Sequence, residues 1–323
     1  MKLPQLKIGH MVSEYPIIQG GMGVGISLSG LASAVAAAGG IGIISGTGIT
    51  IEELRFHIRR ARELSKGKGY IGINVLFAVS DFAEKMKAAL EEKVDFIISG
   101  AGISRDMYNW GKEAGIPVLS IVSTAKLAKL SERLGASAVV VEGFEAGGHL
   151  GTDRPMFDIL PEVVEAVKIP VIAAGGIMTG ADVAKAIAMG ASGVQMGTRF
   201  VASEECDAPL AFKQKYVEAK EEDLVLVKTT VGLQGRAIRN AFTEIIKDDG
   251  KFKVAKCLNC LKVCSYRFCT MDSLLRSLNG DVDMGLVFAG ARVTEIKDIL
   301  PVREIFSNIA AEFQLATGMA ATS

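Results

Sequence analysis

A closed (β/α)8 barrel is the fold this sequence predicts, and three observations predict it. Eight short apolar runs alternate with helix-patterned stretches through the first two-thirds of the 323 residues, the pattern of βα units around a parallel sheet. An apolar content of 49% with 36 glycines is ample for the core such a sheet needs. Glycine-bearing motifs fall at the ends of the apolar runs, the rim where a barrel gathers its catalytic groups. An open doubly wound sheet is the alternative, and it too places ligands at strand C-termini.

The elements follow in order. No charged residue occurs between Glu14 and Glu52, a span long enough to cross a bilayer. Glycine punctuation divides it instead into two buried strands, Pro16–Gln19 and Ile41–Ser45, flanking an alanine-rich helix that starts near Leu28. Further strands are expected at Tyr70–Leu76, Val94–Ser99, Pro117–Val122, Ala138–Glu142, Pro170–Ala174 and Gly193–Met196. Helices are expected from near Ile51, Asp81, Arg105, Thr124, Met156, Gly180 and Ala208. Near the C-terminus, Ile305, Ile309 and Phe313 recur at four-residue spacing, which predicts a helix over 301–317 with an ordinary buried stripe.

Several classes fall away at this level. Thirty-six basic residues balance 36 acidic ones, and no basic block interleaves with aromatics, so no nucleic-acid surface is indicated. The N-terminal MKLPQLKIGHMVSEYP lacks the apolar core and cleavage site of a signal peptide, which places the protein in the cytoplasm and its mature start here. Gly67, Gly69 and Gly72 spell G-x-G-x-x-G, but they precede a strand, whereas the dinucleotide fingerprint must follow one and open a helix.

The richest stretch is VVVEGFEAGGHLG, residues 139–151. A buried strand ends there in a loop whose Gly147 and Gly148 permit conformations and approaches that a Cβ forbids. His149 is thereby placed at a strand end with a side chain that exchanges protons near neutral pH, and it is the candidate catalytic residue. The loops after the seventh and eighth strands, Gly175-Gly176-Ile177 and Gly197-Thr198, stand where barrels hold a phosphate on backbone N–H groups. A phosphate-bearing cofactor is the consequence.

In this order, PIIQGGMG, GINV, EGFEAGGHLG, PVIAAGGI and GASGVQMGTRF resemble the nitronate monooxygenase (2-nitropropane dioxygenase-like) family of FMN barrels, over about residues 15 to 245. The flavin-dependent enoyl-acyl-carrier-protein reductases share the same ladder of motifs. The resemblance implies FMN, with Gly20, Gly21, Met22 and Gly23 bordering the isoalloxazine and Asn74 and Gln195 approaching the cofactor. It places Gly148, Gly175, Gly176, Gly197 and Thr198 on the phosphate side and makes His149 the catalytic histidine. It implies oxidation of an alkyl nitronate or related small molecule with dioxygen, or alternatively reduction of an enoyl thioester by NAD(P)H. NAD(P)H, an electron-carrier protein and a second copy of the chain are the candidate partners.

Cys257, Cys260, Cys264 and Cys269 form C-x2-C-x3-C-x4-C in a chain with one other cysteine, Cys206. In a reducing compartment disulfides are disfavoured, so the spacing points to a metal site, a [4Fe–4S] cluster before zinc. This run departs from the family's barrel signature. It divides the chain into a barrel at 1–223, a cysteine-bearing insertion at 224–295 and a C-terminal helix at 296–323. KDDGKFKVAKC in the insertion is too polar to hold itself together, so the cluster either staples the segment or relays single electrons to the flavin.

Overall fold

A computed structural model describes residues 2–247, 250–254 and 257–318. Eight parallel strands close into a barrel: β1 (Ile17–Gln19), β2 (Ile41–Ser45), β3 (Tyr70–Leu76), β4 (Ile97–Gly100), β5 (Val118–Val122), β6 (Ala138–Glu142), β7 (Val171–Ala174) and β8 (Gly193–Met196). Closure is between β8 and β1, where Val194 pairs Ile17 and Met196 pairs Gln19. The strands are almost wholly buried, as expected of a parallel sheet covered on its outer face by helices and filled within by side chains.

Each expected strand is present, and the helices begin within two residues of where the sequence places them, from Ser29–Ala37 to Leu210–Glu218. The latest entry is β4, expected from Val94 and beginning at Ile97, whereas three other strands begin one residue late. Lys93 turns the chain through a left-handed conformation, φ 55°, and the Asp95 carboxylate accepts the Ile71 N–H at 2.7 Å. Asp95 thus holds Ile71 from both sides, its own backbone N–H donating to the Ile71 carbonyl at 3.0 Å. Among the described residues no helix is long and apolar enough to cross a membrane.

The sequence does not announce what closes the barrel at its lower end. Leu6–Ile8 and Met11–Ser13 form an antiparallel hairpin whose Leu6, Ile8 and Met11 pack with Ile18, Ile43, Phe96 and Val140 in the barrel interior. At the C-terminus, Val302–Ala316 is the expected helix, with Ile305, Ile309 and Phe313 buried. It lies so close to the helix Gly180–Ala188 that a Cβ on Gly180 would fall 2.1 Å from the Ile309 carbonyl oxygen.

One expectation is corrected. The KDDGKFKVAKC stretch, of which 248–249 and 255–256 lie outside the described residues, does not depend on the cysteines alone: Val227, Ala237, Phe242, Ile246, Phe268 and Leu286 around it form a small core. Phe252, from the polar-looking KDDGKFKVAKC stretch, stacks edge-on against Phe242 at 5.4 Å. Sparse aromatics at irregular spacing supply that core, and aromatic rings bury enough area that few are needed. Above it, strands Leu224–Lys228 and Gln234–Ile238 pair with each other and then with a short strand, Gly148–Leu150, rising from the loop after β6.

Candidate active site

That three-stranded sheet is how the loop after β6 acquires a fixed shape. Gly235 pairs with His149 and Arg236 with Gly148. The Arg236 guanidinium donates to the carbonyls of Phe144 and Ala146 and lies over the Phe144 ring at 4.4 Å. The loop is therefore braced from behind by a part of the chain well past the barrel. The neighbouring loop is held in the same way, since Arg292 donates to the Gly176 carbonyl at 2.6 Å and pairs with Asp182 at 2.7 Å.

These loops surround one cavity of about 630 Å³ at the C-terminal rim, within the range of ligand sites. The structure brings together on its wall every residue the sequence singled out around the flavin: Gly20, Gly21, Met22, Gly23, Asn74, Gly148, His149, Gly175, Gly176, Gln195, Gly197 and Thr198. Two features of the wall fit a flavin. First, Ser45 Oγ, His149 Nε2 and Gln195 Oε1 are buried on it without a hydrogen-bond partner among the described residues, and buried polar atoms ordinarily have one. Second, a Cβ on Gly20, Gly23 or Gly197 would meet no protein atom closer than 3.5 Å, and none of the three has a positive φ. Neither packing nor backbone conformation requires glycine there. Close approach by a ligand would. Gly175 and Gly176, at φ 95° and 72°, are glycine for the backbone's sake as well.

Burial sets the protonation of the site. It pushes the His149 imidazole down to about 4 and the Glu142 carboxyl, at the end of β6, up to about 7, in each case by disfavouring the charged form. At neutral pH His149 is an uncharged imidazole, and the group poised to hold or release a proton is Glu142. Sequence reasoning missed Glu142, whose shift comes from tertiary burial and leaves no local signature. It also missed Phe288, whose ring lies edge-on to His149 at 5.4 Å, and Tyr216, which donates to the Phe288 carbonyl. Phe288 lies in an apolar run, LVFAG, whose place against the loop after β6 leaves no local signature.

The four cysteines are free thiols and line one small cavity together with Thr230, Phe268 and Thr270. Backbone N–H groups donate to three of the sulfurs: Asn259 to Cys257 at 3.4 Å, Tyr266 to Cys264 at 3.4 Å and Asp272 to Cys269 at 3.3 Å. Asn259 and Tyr266 adopt left-handed φ values of 49° and 55°, which non-glycine residues rarely do. Each stands two residues after the cysteine its N–H serves. Among the described residues no group of three or more His, Cys, Asp or Glu side chains is gathered to hold a metal ion, so the metal expectation has no direct support from the side-chain arrangement.

Comparison with known proteins agrees with this geometry. The chain matches the nitronate monooxygenase family over residues 5–89 and 67–312. It is 33% identical to a probable nitronate monooxygenase of Staphylococcus aureus, with 74% of this chain and 79% of that protein covered. A hydroxy-methyl-oxo-octahydroindene carboxyl-CoA dehydrogenase of Rhodococcus jostii is 32% identical over 74% of this chain and 67% of its own length. Among solved structures, FabK from Thermotoga maritima superposes with a TM-score of 0.82 at 33% identity, covering 94% of each chain. A nitroalkane oxidase from Streptomyces ansochromogenes superposes at 0.80 and 26% identity, over 94% of this chain and 97% of that one. With the barrel, its rim cavity and these likenesses together, the chain belongs to the FMN-dependent nitronate monooxygenase family and is a flavin-dependent oxidoreductase.

Proposed function

We propose that the protein binds FMN in the rim cavity and oxidises an alkyl nitronate or a related small substrate there, with His149 as the catalytic residue. One observation carries the reading: a single cavity is walled by glycines that neither packing nor backbone explains and by three residues, Ser45, His149 and Gln195, that each keep a buried polar atom without a partner among the described residues. FMN, when bound, supplies the redox chemistry and can pass electrons to dioxygen. The glycines of the loops after β1 and β3's Asn74 border the ring. Gln195, whose Oε1 has no partner among the described residues, would approach the cofactor. The backbone of Gly175, Gly176, Gly197 and Thr198 holds the phosphate. An anionic nitronate suits a neutral His149 on the cavity wall, because its ring N–H can orient the anion, while Glu142 on the same wall can hold or release the proton. Met22, Leu233 and Phe288 line the same cavity and exclude water.

A second reading, reduction of an enoyl thioester by NAD(P)H, is favoured by the likeness to FabK. The cofactor set we propose includes a [4Fe–4S] cluster on Cys257, Cys260, Cys264 and Cys269, with zinc as the alternative. The four cysteines line one small cavity and would hold the cluster, which would supply one-electron chemistry there. The protein would work in the cytoplasm.

The test is direct. Purified protein is denatured and its flavin identified by chromatography, then the native enzyme is supplied with propane-2-nitronate and dioxygen, or with NAD(P)H and a crotonyl thioester. FMN release and nitronate consumption support the leading reading. Turnover of the thioester alone moves the protein to the second, and recovery of FAD or of no flavin after reconstitution sinks both.

A further inference from the structure

We infer that the four-cysteine loop is an entry port through which a small acidic, one-electron carrier protein reduces the flavin. The inference rests on the FMN and cluster reading above and adds to it a direction of electron flow and a partner.

The loop sits between the rim cavity and solvent. On the inner side, Cys260, Leu261 and Thr270 line both the cysteine cavity and the rim cavity, so a single layer of residues separates the two. That wall is fixed to the barrel. Ser80 donates through its N–H to the Cys260 carbonyl at 3.1 Å and through its hydroxyl to the Asn259 carbonyl at 2.7 Å. Lys262 donates through its N–H to the Ala78 carbonyl at 2.9 Å and through Nζ to the Phe77 carbonyl at 2.7 Å, and Leu261 bridges to Val79. A structural staple for the segment after the barrel has no need to be clamped to the loop following β3. A relay must be held there, because electron transfer requires a short and constant separation.

The outer side has the character of a transient docking face. Leu258, Val263 and Tyr266 are 45%, 82% and 66% exposed within nine residues of sequence, and Cys257 is itself exposed. The sequence around this apolar tip is basic, six basic to two acidic side chains over residues 247–267 in a chain whose formal charge is zero, and among the described residues Glu84 and Asp272 are the carboxylates that act on Lys262 and Cys269. Lys251, Lys253 and Lys262 are exposed. A small apolar centre within a net basic stretch suits weak electron-transfer encounters, which bury less area than stable complexes and are steered by complementary charge. The complement here is an acidic carrier. Two encounters oxidise two carrier molecules by one electron each, and the flavin takes up that pair with two protons from solvent.

The experiment uses the anaerobically purified holoenzyme and dithionite-reduced [2Fe–2S] ferredoxin as the acidic carrier, with reduced methyl viologen as a donor that needs no docking face. Loss of the flavin's visible band is followed by stopped flow. Ferredoxin should bleach the flavin at a rate that falls steeply with added salt, and Lys251→Glu/Lys253→Glu should slow that rate at least tenfold while leaving reduction by viologen, iron content and flavin content unchanged. Cys257→Ser should remove the iron and abolish reduction by ferredoxin. A protein with flavin but no iron overturns this inference and the cluster reading while sparing the flavin reading; a protein with no flavin fails at the earlier step. With both cofactors present, bleaching by ferredoxin that ignores salt and the lysine reversals overturns the port, as does a homodimer that Val263→Asp dissociates.

Discussion

His149 and Gly235 face each other across an antiparallel pair, so the histidine on the loop after β6 is held from behind by a glycine of the segment that follows the barrel. A Cβ on Gly235 would meet Thr229 Cγ2 at 2.8 Å and Phe288 Cε1 at 2.9 Å. Glycine is what lets the Phe288 ring lie close enough to pack on the imidazole. Gly235→Ala should therefore shift Phe288 and the histidine loop together and reduce kcat by up to about 10²-fold, the effect of a misplacement near 1 Å. Steady-state kinetics with flavin content measured in parallel checks it, and an unchanged kcat would show that the contact is incidental.

His149→Ala should keep FMN bound and lose about two to four orders of magnitude in rate, the range for removing a positioned acid–base group. Flavin absorbance reports the first and turnover of the true substrate the second. Near wild-type turnover would leave His149 a bystander in its own loop.

The two shifted groups predict opposite pH dependences. Glu142 moves from 4.5 up to about 7, so its neutral form is the one the fold favours: its contribution is full below about 4.5 and lost as the pH rises through about 7. His149 moves from 6.5 down to about 4, so its contribution is full above about 6.5 and lost as the pH falls through about 4. In the apoprotein, Glu142→Gln should accordingly raise Tm relative to wild type at about pH 8 and not at about pH 4. A Tm difference that is the same at both values would mean the carboxyl titrates normally.

Glycines of different origin should respond differently to the same added methyl group. Gly197→Ala places its Cβ 3.6 Å from Met22 Sδ, so the apoprotein Tm should barely move while FMN affinity drops at least about tenfold, or about 1.4 kcal/mol. Gly180→Ala drives a Cβ against the backbone of Ile309 and Phe313 at 2.1 and 2.3 Å and should lower stability by at least about 1–3 kcal/mol. Thermal melts and flavin titrations separate the two. Equal flavin affinity in Gly197→Ala and wild type would remove the argument from unexplained glycines.

Anaerobic purification should give a broad brown absorbance beneath the flavin bands and about four iron per chain, the content of a [4Fe–4S] cluster. Cys264→Ser should abolish the iron and leave FMN in place. Stoichiometric zinc without iron, or protection of the thiols as two disulfides, would assign the loop to a structural role.

The barrel was legible in the sequence because its signal is local. A strand such as Ala138–Glu142 is a short apolar run, the glycines follow it directly, and the helix after it carries its own periodicity. The site was legible to the same depth: Gln195 and Gly197 could be placed on the rim by counting strands. What escaped depends on distant chain. The strand Gly148–Leu150 exists because Gln234–Ile238 pairs with it, and a three-residue stretch has no periodicity from which to read that. Glu142 looked like the polar end of a strand, and only the surrounding walls make its ionisation costly. The small core around Phe242, Phe252 and Phe268 escaped for a related reason, since three rings scattered through a lysine-rich stretch show no repeating face.

The hairpin Leu6–Ile8 and Met11–Ser13 bears on how the holoprotein is assembled. With Leu6, Ile8 and Met11 sealing the floor, the cavity of the described residues lies at the upper mouth, where Leu233, Leu261 and Phe288, all synthesised after the eighth barrel strand, form part of its wall and roof. A nascent chain thus presents an open cup before its lid exists. Cofactor insertion is easiest in that interval, and the finished protein should exchange its flavin slowly, at a pace set by the lifting of the roof.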